Sequence, residues 1–369
     1  MKKIFIVVEN LRIGGYQRLT LDQAYALSKM GRNVTICKLN DCKQSDENLE
    51  IIEKALILKY KIRIVNVFGS RLNQFLLFKN LISSNNSEIL FLVHTLRATV
   101  LLKLTKIIFR YKIIILTTIH QLPGLSHPQQ RMRRYFYAQF ADSLYFYSKA
   151  AILGWQNEIN SNFVMKLIFK KKCRLLRNGV FVDRLEFSKI RIPPNQDYPV
   201  RMIFLGRIAT WKGLETLFKL AQHPKLFHAS ILIIVPAIDK NFSKRMPIRL
   251  MNRIQIQTGT TINNFVPKPG DVHIYPTNFG KNIKYTESIS INCLEMACLG
   301  VPSLVTKGGV KTWPELDKFK ILIEADWQDF EECVELIIKN SKEYFSSDHM
   351  KSIQEIINIE NQFQTINQF

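Results

Sequence analysis

Short apolar runs recur along the whole chain, at 4–8, 88–93, 113–119 and 143–147 and again at 200–206, 229–235, 271–275 and 303–306, with helix-like stretches between them. The runs have strand length, and strands that alternate with helices build parallel sheets covered on both faces. The class is therefore α/β. A chain of 369 residues exceeds what one hydrophobic core usually serves. After Phe187 the pattern lapses into SKIRIPPNQDYP, whose prolines and polar residues read as a linker, and a new strand begins at Val200. This places an N-terminal domain at 1–190, a linker at 191–199 and a C-terminal domain at 200–369, and leaves open that the last helix returns to the N-terminal domain. Ligands of such sheets bind outside the carboxyl ends of the strands, so functional side chains are expected on strand-to-helix loops facing a cleft.

Several classes fall away on composition. The opening MKKIFIVVENLRIGG has Glu9 and Arg12 inside what would be a signal-peptide core, and no stretch reaches the 18 or so apolar residues of a membrane span. A cytoplasmic protein is expected. The six cysteines (Cys37, Cys42, Cys173, Cys293, Cys298 and Cys333) include no CxxC pair and no histidine at zinc spacing, so they read as free, buried thiols. There is no Asp-x-Asp to hold a divalent metal, and neither a metal nor another cofactor is expected.

Residues 286–302, TESISINCLEMACLGVP, carry two carboxylates eight positions apart, Glu287 and Glu295. Eight residues are a little over two helical turns, so the two cannot share a helix face if both are helical. The spacing predicts Glu287 on a loop, Ser288 or Ser290 as the N-cap, and Glu295 inside a helix stopped by Gly300, Val301 and Pro302. A loop carboxylate, free backbone N–H groups and a helix N-terminus then meet at one point, which suits an anion and hydroxyl groups bound together. A second constellation is RMIFLGRIATWKGLETLFKLA, where Arg207 and Lys212 follow a strand on a short loop that leads into a helix, two cations placed to neutralise a diphosphate. Near the start, Gly14 and Gly15 lead into a helix with one apolar stripe (Leu21, Ala24, Tyr25, Ser28) and a stop at Gly31; the pair either makes a tight turn or lets the backbone approach a phosphate or sugar. His120 closes a buried-looking strand and reads as structural or catalytic; His94 occupies a similar strand end and reads as structural or acceptor-side.

The Glu287/Glu295 pair followed by MACLGVPSLVTKGG, the Gly-Arg and Lys-Gly of the second constellation, and the opening glycine pair resemble glycosyltransferase family 4, retaining enzymes of the GT-B fold, over most of the chain, and the likeness is to members that build bacterial surface polysaccharides. The resemblance implies two doubly wound Rossmann-like domains facing a cleft. It implies that Glu287 meets the transferred sugar, that Glu295 meets the nucleotide ribose, and that Arg207 and Lys212 clamp the diphosphate and stabilise it as it leaves, in place of a metal. Gly14 and Gly15 would face the donor from the N-terminal domain, and His120 would approach its sugar. Ser288, Ile289 and Ser290 stand where the family has Gly-Phe-Gly and would line the donor site.

The net charge of +22 is lopsided: residues 1–200 hold 32 Lys and Arg against 13 Asp and Glu, and residues 201–369 hold 20 against 17. Lys103, Lys106 and Arg110 form a basic stripe along an apolar helix at 96–112; Arg131 and Arg134 stand beside aromatics, and Lys170, Lys171, Lys172 and Arg174 cluster further on. Such a face suits the anionic inner leaflet of the cytoplasmic membrane and a lipid-linked acceptor. The expected function is metal-independent transfer of a hexosyl group from a nucleotide sugar to a lipid-linked saccharide in lipopolysaccharide, O-antigen or related synthesis. The alternatives are a GT-B nucleotide-sugar epimerase, or a non-catalytic basic protein that binds nucleic acid or membrane, although no nucleic-acid-binding motif is present.

Overall fold

A computed structural model describes residues 3–11, 15–40, 51–85, 88–119, 136, 138–147, 149–158, 169, 171–185, 199–208, 212–238, 242–258, 262, 265–276, 289–307, 310, 313–343 and 345–364. The chain forms two compact units, Met1–Phe181 together with Ile359–Phe369, and Val182–Asn358. The division thus falls between Phe181 and Val182, ahead of the expected linker, and most of 191–199 lies outside the described residues.

Unit 1 runs β1 (Lys3–Val8), α1 (Gly15–Lys29), β2 (Asn33–Lys38), α2 (Ile51–Lys59), β3 (Arg63–Asn66), α3 (Arg71–Ser83), β4 (Ile89–Val93), α4 (Leu96–Ile108), β5 (Ile113–Ile119), β6 (Ser143–Phe146), α5 (Lys149–Glu158) and β7 (Cys173–Leu175). Its seven strands are ordered β3-β2-β1-β4-β5-β6-β7, each neighbour parallel. The central strands read as unbroken apolar runs because both faces are covered: β4, ILFLV, is buried at every position. In unit 2 come β8 (Arg201–Leu205), α6 (Leu214–Ala221), β9 (Ser230–Val235), α7 (Phe242–Arg245), β10 (Ile254–Thr258), β11 (Asp271–Tyr275), α8 (Ile291–Cys298), β12 (Ser303–Thr306), β13 (Leu322–Ala325), α9 (Phe330–Asn340) and α10 (Ser347–Ile357). Six parallel strands are ordered β10-β9-β8-β11-β12-β13 around a core that includes Phe204, Leu217, Ile233, Ile274 and Val334. Asp271 accepts two 2.6 Å hydrogen bonds from the Arg201 guanidinium and so joins the starts of β8 and β11. Burial raises the Asp271 carboxyl above its ordinary range despite the opposing pull of Arg201.

Both sheets reverse their order beside the first strand, between β1 and β4 in unit 1 and between β8 and β11 in unit 2. Doubly wound sheets bind ligands outside the carboxyl ends at that switch point.

The final segment, α11 (Ile359–Gln364), belongs to unit 1 and packs on α1. Ile359 N–H donates to Val180 O at 3.0 Å, and Lys29 pairs with Glu360 at 3.0 Å. This explains a departure from the expected single stripe on α1, whose residues are buried on all sides from Gln17 to Leu27. The helix lies between its own sheet and later chain, and Arg18 is paired with Glu53.

Candidate functional site

The carboxyl ends of β8 and β11 lie side by side, and three features of the sequence bring chemistry to them. After β8, Gly206 adopts φ +135° and a Cβ there would stand 3.2 Å from Asn292 Nδ2, so the residue is small because α8 comes close. Asn292 Nδ2 donates to Leu205 O at 2.8 Å and ties the N-terminus of α8 to the exit of β8. Asn292 carried no signal in the sequence beyond its place one residue into the helix. Next to Gly206, Arg207 is exposed.

The second feature is the loop into α6. Lys212 is half-buried; its ammonium donates to the Tyr275 hydroxyl and lies 4.6 Å from the centroid of that ring. Gly213 is the N-cap of α6 at φ +71°, and a Cβ there would fall 2.1 Å from Pro276 O. On the same face of β11, the buried His273 packs its ring 5.8 Å from that of Tyr275 and bonds Ser303 Oγ through Nδ1 at 3.0 Å. Burial, with the Lys212 charge second, pushes His273 down to about 3, so its ring is neutral at physiological pH.

Third, α8 begins where the sequence placed it. Ser290 is the N-cap and its Oγ accepts from Asn292 N–H at 3.4 Å, while Gly300, at φ +71°, follows the helix end. Ile289 is buried and Ser290 half-buried at this edge. Glu295 sits inside the helix, 3 % exposed, and its Oε1 accepts from the guanidinium of Arg184, which is fully buried. Sequence reasoning missed Arg184: it lies 111 residues from Glu295 and belongs to no local pattern. Glu287, Ser288, Gly14 and His120 lie outside the described residues, as do Arg131 and Arg134. Gly15 is the first residue of α1, and a Cβ there would meet nothing within 4 Å among the described residues.

The structure thus brings Arg207, Lys212 and the N-terminus of α8 to the unit 2 switch point, with Tyr275 and Asn292 beside them. A cavity of about 650 Å3 lies elsewhere in unit 2, beside Pro314, Lys320, Glu324 and Lys339, and shares no residue with this edge. Among the described residues no group of three or more His, Cys, Asp or Glu side chains is placed to hold a metal ion. Cys37, Cys173, Cys293, Cys298 and Cys333 are free thiols; burial pushes Cys37 up to about 12.

Unit 1 places different groups under its switch point. His94, at the end of β4, is bonded through both ring nitrogens, Nε2 to Gln23 Oε1 and Nδ1 to Thr118 Oγ1, each at 2.8 Å. Lys103 and Lys106 do not project as a free stripe: they reach Asp142 at 3.1 and 2.8 Å, and the Ile115 N–H donates to the same carboxylate at 3.0 Å. Burial acts to raise Asp142, but these three partners outweigh it and hold the carboxyl below its usual range. Arg110 is exposed beyond the end of α4, at φ +54°, next to the exposed Ile107 and Ile108. Lys172 turns inward onto the Gln139 and Ala141 carbonyls at 2.6 and 2.7 Å. Among the described residues no helix is long and apolar enough to cross a membrane.

No protein-family model matches the sequence, and no curated protein matches it. Solved structures do resemble it in fold. Anabaena HepE in complex with UDP and glucose aligns with a TM-score of 0.69 at 15% identity, over 99% of this chain and 98% of that one. A glycosyltransferase from Rickettsia africae aligns at 0.65 and 16%, over 99% and 97%, and the apo lipopolysaccharide outer core galactosyltransferase WaaB at 0.63 and 14%, over 99% and 98%. The chain therefore has the GT-B fold expected from its sequence, with two Rossmann-like units.

Proposed function

We infer that this chain is a retaining glycosyltransferase that moves a hexosyl group from a nucleoside-diphosphate sugar to a saccharide acceptor, without a metal. The observation that carries the reading is the convergence of Arg207, Lys212 and the N-terminus of α8 on the switch point of unit 2. Two cations and a helix dipole neutralise a diphosphate both when it is bound and as it leaves. In the reaction the bond from the anomeric carbon to the diphosphate oxygen breaks with its electron pair going to the leaving group. The acceptor hydroxyl attacks from the same face and gives its proton to the departing phosphate oxygen. Glu287 and His120 serve the transferred sugar in this reading, with Gly14, Gly15, Ser288, Ile289 and Ser290 lining the donor, and Glu295 serves the ribose.

The solved structures of HepE with UDP and with UDP-glucose support uridine diphosphate as the first nucleotide to test. WaaB, a lipopolysaccharide outer core galactosyltransferase, supports a lipid-linked acceptor in surface-polysaccharide synthesis. The exposed Leu104, Ile107 and Ile108 beside Arg110 support contact of unit 1 with an anionic membrane surface. Arg131 and Arg134 join that surface in the same reading, which puts the protein on the inner face of the cytoplasmic membrane.

The test is a calorimetric panel of UDP, GDP, ADP and CMP without metal, on wild type and on Arg207→Ala and Glu295→Gln. Glutamine is chosen because it keeps a hydrogen-bond acceptor for the buried Arg184. Micromolar binding of one diphosphate that Arg207→Ala weakens about tenfold or more supports the reading. Failure of all four to bind removes it.

A further inference from the structure

We propose that Tyr275 is a positioning residue that holds the Lys212 ammonium at the carboxyl end of β11, ready for the diphosphate of the nucleotide. This deepens the nucleotide-sugar reading above and rests on it. A loop lysine is ordinarily a diffuse charge on a flexible four-carbon stem. Here two consecutive residues at the exit of β11 seat two consecutive residues of the loop. Tyr275 takes the Lys212 ammonium on its hydroxyl and ring, and the Pro276 carbonyl lies so close to Gly213 that a Cβ there would stand 2.1 Å away. Tyr275 is itself 5% exposed, so the group that does the holding is fixed. His273, the next side chain along that face, is neutral and so is not itself a cation competing with Lys212.

The contact is compatible with ligand binding. An ammonium has three N–H donors, so a bond to the phenol does not by itself preclude one to a phosphate oxygen. The ordering of the side chain then precedes binding instead of opposing it. Nothing in the sequence at 275 announced this, because the position lies inside a strand 63 residues from its partner.

Isothermal titration of the full chain without metal tests the proposal, with UDP and UMP as the probes, or the diphosphate and monophosphate of whichever base binds in the panel. Tyr275→Phe keeps the ring and removes the hydroxyl alone. We expect it to weaken diphosphate binding about five- to tenfold while changing monophosphate binding less than about twofold, with an unchanged melting temperature. A purely structural tyrosine would move both nucleotides together, so an equal loss on both overturns the proposal, as does unchanged or tighter diphosphate binding. If wild type binds the diphosphate and Lys212→Ala weakens it while Tyr275→Phe does not, the proposal alone falls. If wild type binds no nucleoside diphosphate, the donor-site reading falls and takes the proposal with it.

Discussion

Under the carboxyl edge of unit 1, His94 is joined to the Gln23 amide and the Thr118 hydroxyl; at the corresponding edge of unit 2 stand Arg207 and Lys212, with Glu295 of the buried Arg184–Glu295 pair in the helix that starts there. The sequence distributes charge the other way, with most of the excess cations in residues 1–200. Charge carried by a segment and charge placed at its switch point are therefore separate quantities. Part of the basicity of unit 1 is spent inside it: Lys103 and Lys106 tie α4 to Asp142 at the start of β6, and Lys172 bridges two carbonyls. Unit 2 has little excess charge, yet it sets several ionic groups beside the strand ends where an anion would bind.

The contrast is most severely tested at Arg184. Arg184→Met leaves Glu295 buried without its counter-ion and is expected to cost about 3 to 5 kcal/mol in the unit 2 transition of a denaturant titration. Adding Glu295→Gln should recover most of that, and a double variant as unstable as the single one would mean that the pair is not what Arg184 stabilises.

His273 gives the next effect. Its folded pKa of about 3 lies below the ordinary value near 6.5, so the unfolded chain binds the proton first as pH falls. Its contribution is intact above about pH 6.5 and is lost downward, by about 2 kcal/mol at pH 5. The stability difference between wild type and His273→Phe, followed by urea unfolding from pH 7 to 5, should shrink by that amount; parallel curves would contradict the assignment.

In unit 1, His94→Leu removes one hydrogen-bond partner each from Gln23 and Thr118 and is expected to cost about 1 to 2 kcal/mol. Its nucleotide affinity should match wild type by calorimetry, because the proposed diphosphate clamp, Arg207 and Lys212, lies in unit 2; a tenfold loss would erase the distinction drawn between the units. Smallest is Lys106→Ala, a partly exposed ion-pair partner, expected to lower stability by under about 1 kcal/mol in thermal unfolding.

The alternation of strands and helices was legible because each element carries its own apolar period, and the start of α8 was legible because Ser290 and Gly300 act locally. The Gly-Arg and Lys-Gly residues were legible as a cationic loop for the same reason. What escaped was long-range. The partner of Glu295 is an arginine 111 residues earlier, and the seat of Lys212 is a strand residue 63 positions on. The outer face of α1 is covered by chain from the far end of the molecule, so its buried polar residues looked exposed in the sequence. Likewise the stripe of Lys103 and Lys106 looked free because Asp142, its partner, stands 36 or more residues on, just before β6.

The return of the chain to unit 1 bears on how the molecule is made. Because Ile359 and Phe363 are both 1% exposed and lie in unit 1, this unit contains residues from both ends of the chain, and unit 2 is in effect inserted within it. During synthesis the sheet of unit 1 emerges before unit 2 but lacks the piece that covers α1 until the segment from Ile359 onward has left the ribosome. Unit 2, continuous in sequence, has all its parts earlier. The half that starts first is thus the half that finishes last, and a nascent chain halted shortly before Ile359 would carry a complete unit 2 on an incomplete unit 1.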